Sequence, residues 1–164
     1  MPLKGTWVIR VLIVDDHAVV RAGLGGVLGD AEGIVVVGGC ADGAEVPDVA
    51  RRVRPDVVLM DVQMPRVGGP VATRALLDQE PTVRVLMVSA STGSRVVAES
   101  AASGACGYLL KGGKADALVD AVRVVAGGGT AWPGGQPVAG SGQRGPSPAG
   151  DRVGDGFGGT WTTG

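Results

Sequence analysis

Up to residue 126, hydrophobic positions alternate between two kinds of block. Short blocks dense in Val, Leu and Ile occupy Val8–Val14, Ile34–Cys40, Asp56–Met60, Val83–Val88 and Cys106–Leu110, each bounded by Gly, Pro, Asp or Ser. Consecutive apolar residues of this kind suit strands covered on both faces, as in a parallel sheet. Between them apolar positions recur every three or four residues, which is helical spacing. Val20, Leu24, Val27 and Leu28 mark the first such stretch, and Val46, Val49 and Val53 the second, within Ala44–Val53. Pro47 fits a helix there only in its first turn. The third stretch is Pro70–Leu77, the fourth the Ala-rich Ser94–Ser103, and the fifth Lys114–Ala126 with Leu118, Val122 and Val125. Five strands alternating with five helices predict an α/β domain over residues 8–126, its parallel sheet flanked by helices on both faces.

After Ala126 the periodicity stops. Of the 38 residues from Gly127 to Gly164, 14 are Gly and four are Pro, while Leu and Ile are absent. A Gly plus Pro share near one half exceeds the rough 25–30% that marks low-complexity chain. A disordered tail over 127–164 is therefore expected. Its large apolar groups, Trp132, Phe157 and Trp161, could dock back onto the domain, but isolated aromatics in such a tail more often have no role.

Size and charge narrow the classes. With 164 residues, 45% hydrophobic content and a net charge of -1, the chain suits one domain with a substantial core. Near-neutrality without a basic block argues against an electrostatic hold on nucleic acid or anionic lipid. The opening "MPLKGTWVIR" has no signal-peptide hydrophobic region, and no apolar run approaches the roughly 20 residues that span a bilayer. Cys40 and Cys106 lack metal-ligand spacing and sit in apolar company, as free buried thiols of a reducing compartment do. A cytoplasmic protein is the expectation.

The chemistry lies at the strand ends. Open parallel sheets collect ligands outside the carboxyl ends of their strands. Here the first strand ends in Asp15 and Asp16, the third in Asp61, the fourth in Ser89 and the fifth in Lys111. The second ends in Cys40 and offers nothing polar. Adjacent carboxylates each raise the cost of ionising the other, so this cluster calls for positive charge. Three hard oxygen donors suit Mg²⁺, which binds through one or two carboxylates and keeps several waters. Lys111 adds a point charge for a phosphoryl group and Ser89 a hydroxyl donor. An Asp in this company can act as nucleophile and form an aspartyl phosphate. His17 is read as opening the first helix, and Met60, Met64 and Met87 as packing residues.

The blocks "VLIVDDH", "PDVVLMDVQMP", "VLMVSA" and "GYLLK" resemble, in order and position, the signatures of two-component response-regulator receiver domains. The likeness spans residues 8–126. It implies a flavodoxin-like, CheY-like doubly wound sheet of five parallel strands in the order 2-1-3-4-5. By the same resemblance Asp61 is the phosphoacceptor, charged from a phosphohistidine of a sensor histidine kinase. Asp16 and Asp61 hold Mg²⁺, with Asp15 close by and the backbone carbonyl of Gln63 as a further ligand. Ser89 and Lys111 contact the phosphoryl group, and Tyr108 is the aromatic switch that turns inward when Ser89 shifts. Family members often dimerise through the face of the fourth helix, fifth strand and fifth helix, so a homodimer through that face is an expectation of the resemblance alone.

The wording "DDHAVVRAGL" and "SGACGYLLKG" is similar to the NarL/FixJ subfamily, whose C-terminal helix-turn-helix binds DNA. No amphipathic helices follow residue 126, so DNA binding is not expected of this chain as it stands. Two departures lie inside the domain: Gly68 in "MPRVGG" where an acid is usual, and Gly112 after Lys111 where Asp or Pro is usual. Loss of a helix cap at the second costs about 0.5–2 kcal/mol. The expected activity is signalling by phosphoacceptance, with at most slow self-phosphorylation and dephosphorylation. The alternative is a NarL/FixJ-type transcription regulator deprived of its DNA-binding part by truncation or a shifted reading frame. A phosphatase with an aspartyl nucleophile is disfavoured by Gln63, which stands where such enzymes need a second Asp. "GLGGVLG" misses the dinucleotide pattern G-x-G-x-x-G, with Leu28 at its third Gly position.

Overall fold

The computed structural model describes residues 7–134. Five strands alternate with five helices: β1 (Ile9–Val14), α1 (Ala18–Gly29), β2 (Ile34–Cys40), α2 (Val46–Val53), β3 (Val57–Asp61), α3 (Gly69–Gln79), β4 (Arg84–Ser89), α4 (Ser94–Ala102), β5 (Gly107–Leu110) and α5 (Ala115–Ala126). A single 3₁₀ turn, Gly43–Glu45, precedes α2. All strand pairs are parallel and the order is β2-β1-β3-β4-β5, as the resemblance implied. Predicted boundaries shift by a residue or two: β3 takes in Asp61, β4 takes in Ser89, and α3 runs two residues past Leu77. Pro47 and Pro70 both sit in the first turn of their helices, where no intrahelical N–H is lost.

The strands are apolar at successive positions because both faces of the sheet are covered. Leu12, Val14, Val58, Met60, Val85 and Met87 pack on one face with Val46, Ala50, Ala72, Leu76 and Ala101, from α2, α3 and α4. Val11, Ile13, Val57, Leu59, Leu86 and Val88 pack on the other with Leu28 of α1 and Leu118, Ala121, Val122 and Val125 of α5. Alternate residues of one strand thus feed two separate cores, the arrangement that makes a doubly wound sheet rigid.

The expectation of disorder from Gly127 onward is corrected over Gly127–Gly134. After α5 the chain turns back beside β5, where Ala131 makes a parallel bridge to Gly107. The Tyr108 N–H donates to the Ala131 carbonyl at 2.8 Å, and the Ala131 N–H to the Cys106 carbonyl at 3.0 Å. Trp132 is only 3% exposed and joins the core that holds Met87, Ala105 and Tyr108. Composition misled here because four glycines and a proline surround one aromatic that packs into the core. The remainder of the expected tail, 135–164 with Phe157 and Trp161, lies outside the described residues. Cys40 is a buried free thiol, pushed up to about 11 by burial first and by the charge of Glu45; Cys106 is free and half-buried. No helix among the described residues is long and apolar enough to cross a membrane.

Candidate functional site

Strand register brings the polar ends into line. Val14 pairs with Met60, Asp61 with Val88 and Ser89 with Leu110, so the residues just past β1, β3, β4 and β5 meet at one edge. The ladder continues by one bond beyond the strands, from the Asp15 N–H to the Cys40 carbonyl at 3.0 Å and from the Lys111 N–H to the Ser89 carbonyl at 2.8 Å. Side chains that follow such a ladder inherit its rigidity, which is how a site is built to small tolerances.

Asp15, Asp16, His17 and Asp61 each offer a ligand atom, all within 4.8 Å of one another. Asp15 and Asp61 are buried, whereas Asp16 is partly exposed. The positive charge that the acids require comes from Lys111, whose Nζ lies 2.8 Å from Asp15 Oδ2 and 3.1 Å from Asp61 Oδ1. The His17 N–H caps Asp15 Oδ1 at 2.9 Å, and Arg21 Nη1 donates to the Asp15 carbonyl at 2.6 Å. His17 precedes α1 as its N-cap, as expected, and its exposed ring also puts Nδ1 3.0 Å from Asp16 Oδ1. That second contact was missed, since adjacency to Asp16 in sequence does not say where an imidazole points.

The cluster is under electrostatic load. Burial chiefly raises the Asp61 carboxyl from 3.8 to about 6; bonding to Lys111 opposes this, and Asp15 and Asp16 add to it. Burial would lower the Lys111 ammonium, but bonds to and charges of Asp15 and Asp61 carry it above its ordinary value. Lys111 is shared by Asp15 Oδ2 and Asp61 Oδ1, and Asp16 Oδ1 has only the exposed His17 ring, with Nδ1 at 3.0 Å. Three clustered carboxylates on one ammonium leave negative charge that a further cation would offset. The donor set therefore fits a divalent ion with a preference for hard oxygen.

Ser89 and Gln63 face the same space. With His17, Asp61, Ala90, Ser91 and Lys111 they line a pocket of about 310 Å³. Ser89 Oγ accepts the Ser91 N–H at 3.1 Å, which orients the hydroxyl at the pocket wall. Tyr108 is 1% exposed, its ring in the core and its hydroxyl donating to the Ser91 carbonyl. Burial raises its phenol, partly offset by the neighbouring Ser89 hydroxyl. Ser89 and Tyr108 thus share the β4–α4 loop as a common partner. Both departures noted above are tolerated. Gly112 adopts φ +80, a left-handed turn that suits Gly, and α5 has Lys114 as its N-cap without a side-chain cap bond. In the loop after Asp61, Gly68 precedes Gly69, where a Cβ would come within 2.5 Å of the Asp61 carbonyl.

The second strand ends in Cys40 and brings nothing polar to the cluster, but a buried carboxylate follows just beyond it. Asp42, two residues beyond Cys40, is buried and accepts backbone N–H groups from Arg66 and Val67 of the loop after Asp61. The "DG" pair in "CADGAE" signalled a turn. Nothing in spacing told that its carboxylate reaches 24 residues along the chain.

Comparison with known proteins agrees with this geometry. The profile described as response regulator receiver domain matches residues 11–123. Response regulator GacA of Pseudomonas aeruginosa is 43% identical over 117 residues, which are 71% of this chain and 55% of GacA. Response regulator UvrY of Escherichia coli is 41% identical over 117 residues, 71% of this chain and 54% of UvrY. The chain therefore spans just over half the length of these relatives. Among solved structures, a LuxR-family two-component response regulator from Aurantimonas superposes with a TM-score of 0.73 at 32% identity, covering 76% of this chain and 89% of that one. The response regulator domain of Thermotoga maritima CheB gives 0.68 at 32%, covering 73% and 97%.

Proposed function

Because the chain belongs to the response regulator receiver domain family of two-component systems, we propose that Asp61 is its phosphoacceptor and that the surrounding groups serve that one transfer. The observation that carries the reading is the convergence of Asp15, Asp16 and Asp61 on Lys111 at one edge of the sheet. Family members generally carry the modification on an aspartate and bind Mg²⁺ in an acidic pocket; the phosphoryl donor proposed here is a phosphohistidine of a sensor histidine kinase.

A carboxylate oxygen of Asp61 attacks phosphorus while the N–P bond of the phosphohistidine breaks. The electron pair of that bond stays on the imidazole nitrogen, which takes up a proton. Above a pH of about 6 Asp61 is ionised and competent to attack. Lys111 stands beside Asp61 to pair with an oxygen of the transferred group, and the Ser89 hydroxyl at the pocket wall donates to another. Asp15, Asp16 and Asp61, with the Gln63 backbone, are the residues that would hold Mg²⁺. When bound, the ion supplies charge neutralisation for phosphoryl oxygens and acidic side chains together. Esterification of Asp61 removes a partner from Lys111 and draws Ser89 towards the new oxygens. Because Ser89 and Tyr108 share the Ser91 segment, such a shift biases the ring between two packings and so changes the surface of α4, β5 and α5. Contact of that surface with a partner, including a second copy, is the proposed output.

The test is incubation with acetyl phosphate and Mg²⁺ followed by intact-mass measurement. Wild type is expected to gain one phosphoryl group and Asp61→Asn none. Equal modification of both proteins would remove Asp61 from this role.

A further inference from the structure

Residues 62–68 form the loop that links Asp61 to α3 and carries Gln63 at the pocket wall. Its ends are fixed by the Val62 N–H on the Val88 carbonyl at 3.2 Å and the Gly69 N–H on the Val62 carbonyl at 2.8 Å. Its middle is held from outside. Asp42 Oδ2 accepts the Arg66 N–H at 3.0 Å, and Oδ1 accepts the Val67 N–H at 3.1 Å and the Ala44 N–H at 2.9 Å. The next residue completes the clamp, with the Gly43 N–H on the Val67 carbonyl at 3.2 Å. A Cβ at Gly43 would lie 2.4 Å from that same carbonyl, so the two loops touch backbone to backbone.

Asp42 is 6% exposed. Its charge is held by N–H groups: those of Ala44 first, then of Arg66 and Val67, keep the carboxyl below its ordinary range against the opposing effect of burial. An ionised carboxylate is a stronger acceptor than a neutral group, and three charge-assisted bonds suit a fixed anchor. The loop it holds has reason to need one. Gly68 ends it and Gly69 follows, and glycine is the residue with most backbone freedom to lose on ordering.

We propose that Asp42 is a positioning residue for the cation site: by clamping Arg66 and Val67 it keeps the Gln63 backbone at the pocket beside Asp61. It touches neither the ion nor the phosphoryl group and acts through the loop. This rests on the reading of Asp15, Asp16, Asp61 and Gln63 as the Mg²⁺-binding set. Groups that orient metal ligands from one shell out typically matter by 10–100-fold in affinity.

Calorimetric titration of Mg²⁺ into the full chain, without any phosphodonor, tests it. Wild type, Asp42→Ala, Asp42→Asn and Asp61→Asn are compared, each with a thermal melt in the absence of Mg²⁺. Asp42→Ala is expected to weaken Mg²⁺ about tenfold while still melting cooperatively. Asp42→Asn keeps an acceptor for Ala44 and Val67 but faces the Arg66 N–H with a donor, so it falls between. Phosphorylation by acetyl phosphate should slow in both at limiting Mg²⁺ and recover at saturating Mg²⁺. Folded Asp42 variants that bind Mg²⁺ as tightly as wild type would overturn the proposal, as would a rate deficit that saturating Mg²⁺ does not repair. Should Asp42→Ala fail to fold, Asp42→Asn decides by the same criteria. Wild type that takes up no Mg²⁺, or Asp61→Asn that binds like wild type, would sink the underlying site, and the positioning role with it.

Discussion

At the scale of single residues, the site trades stability for reactivity. Asp61 holds a proton more tightly in the folded chain than in the unfolded one, because burial raises it from 3.8 to about 6. Folding is then favoured by this group below a pH near 3.8, and that contribution is lost as pH rises through about 6. Asp61→Asn removes the penalty of an ionised buried carboxylate beside Asp15. In metal-free buffer at pH 7.5 the variant is expected to melt several degrees above wild type, a gain of about 1–2 kcal/mol. Melts repeated down to pH 4 should show the gap closing. A variant that melts below wild type at pH 7.5 would mean that Lys111 already compensates the acids in full. Much at this scale was legible beforehand. Asp15, Asp16, Asp61, Ser89 and Lys111 declared themselves because each interrupts an apolar run at its end, where a buried strand has no use for charge. Asp42 did not, because it stands in a turn where Asp is common for local reasons.

At the scale of elements, α1 is a weak link. Four of its 12 residues are Gly, and it carries neither a side-chain N-cap bond nor an acidic residue in the first turn. Each mid-helix Gly costs roughly 0.5–1 kcal/mol relative to Ala. Gly26 is exposed, and a Cβ there would meet nothing within 4 Å. Gly26→Ala is therefore expected to raise unfolding free energy by about 0.5–1 kcal/mol in a denaturant titration. Gly69→Ala, at the start of α3, should do the reverse by about 1–3 kcal/mol, since its Cβ would press on the Asp61 carbonyl at 2.5 Å. A loss of stability in Gly26→Ala would show that the helix needs the glycine for packing. The helices themselves were readable from spacing, and Pro47 and Pro70 located their first turns, because those signals are local. The segment after α5 was not readable. Trp132 has no periodic neighbours, and its burial depends on core residues, Met87 and Tyr108 among them, that only the assembled sheet brings together.

At the scale of the whole molecule, parallel topology is what converts scattered residues into a site. Each strand delivers its last residue to the same edge because every crossover returns the chain to the opposite end of the sheet. The acids come from positions 15, 16 and 61 and their counter-charge from position 111, distances along the chain that only this strand order closes. Fold class could be argued from alternating blocks, whereas strand order came from family likeness, since periodicity carries no information on neighbours. The proposed phosphoacceptance at Asp61 is where these levels meet. The most direct measurement is reduction of the acetyl phosphate-treated protein with borohydride, followed by peptide sequencing in the mass spectrometer. An acyl phosphate on Asp61 would appear as homoserine at position 61 and nowhere else. Homoserine at position 15 or 16, or an unreduced phosphate on His17 or Ser89 with position 61 untouched, would contradict the account.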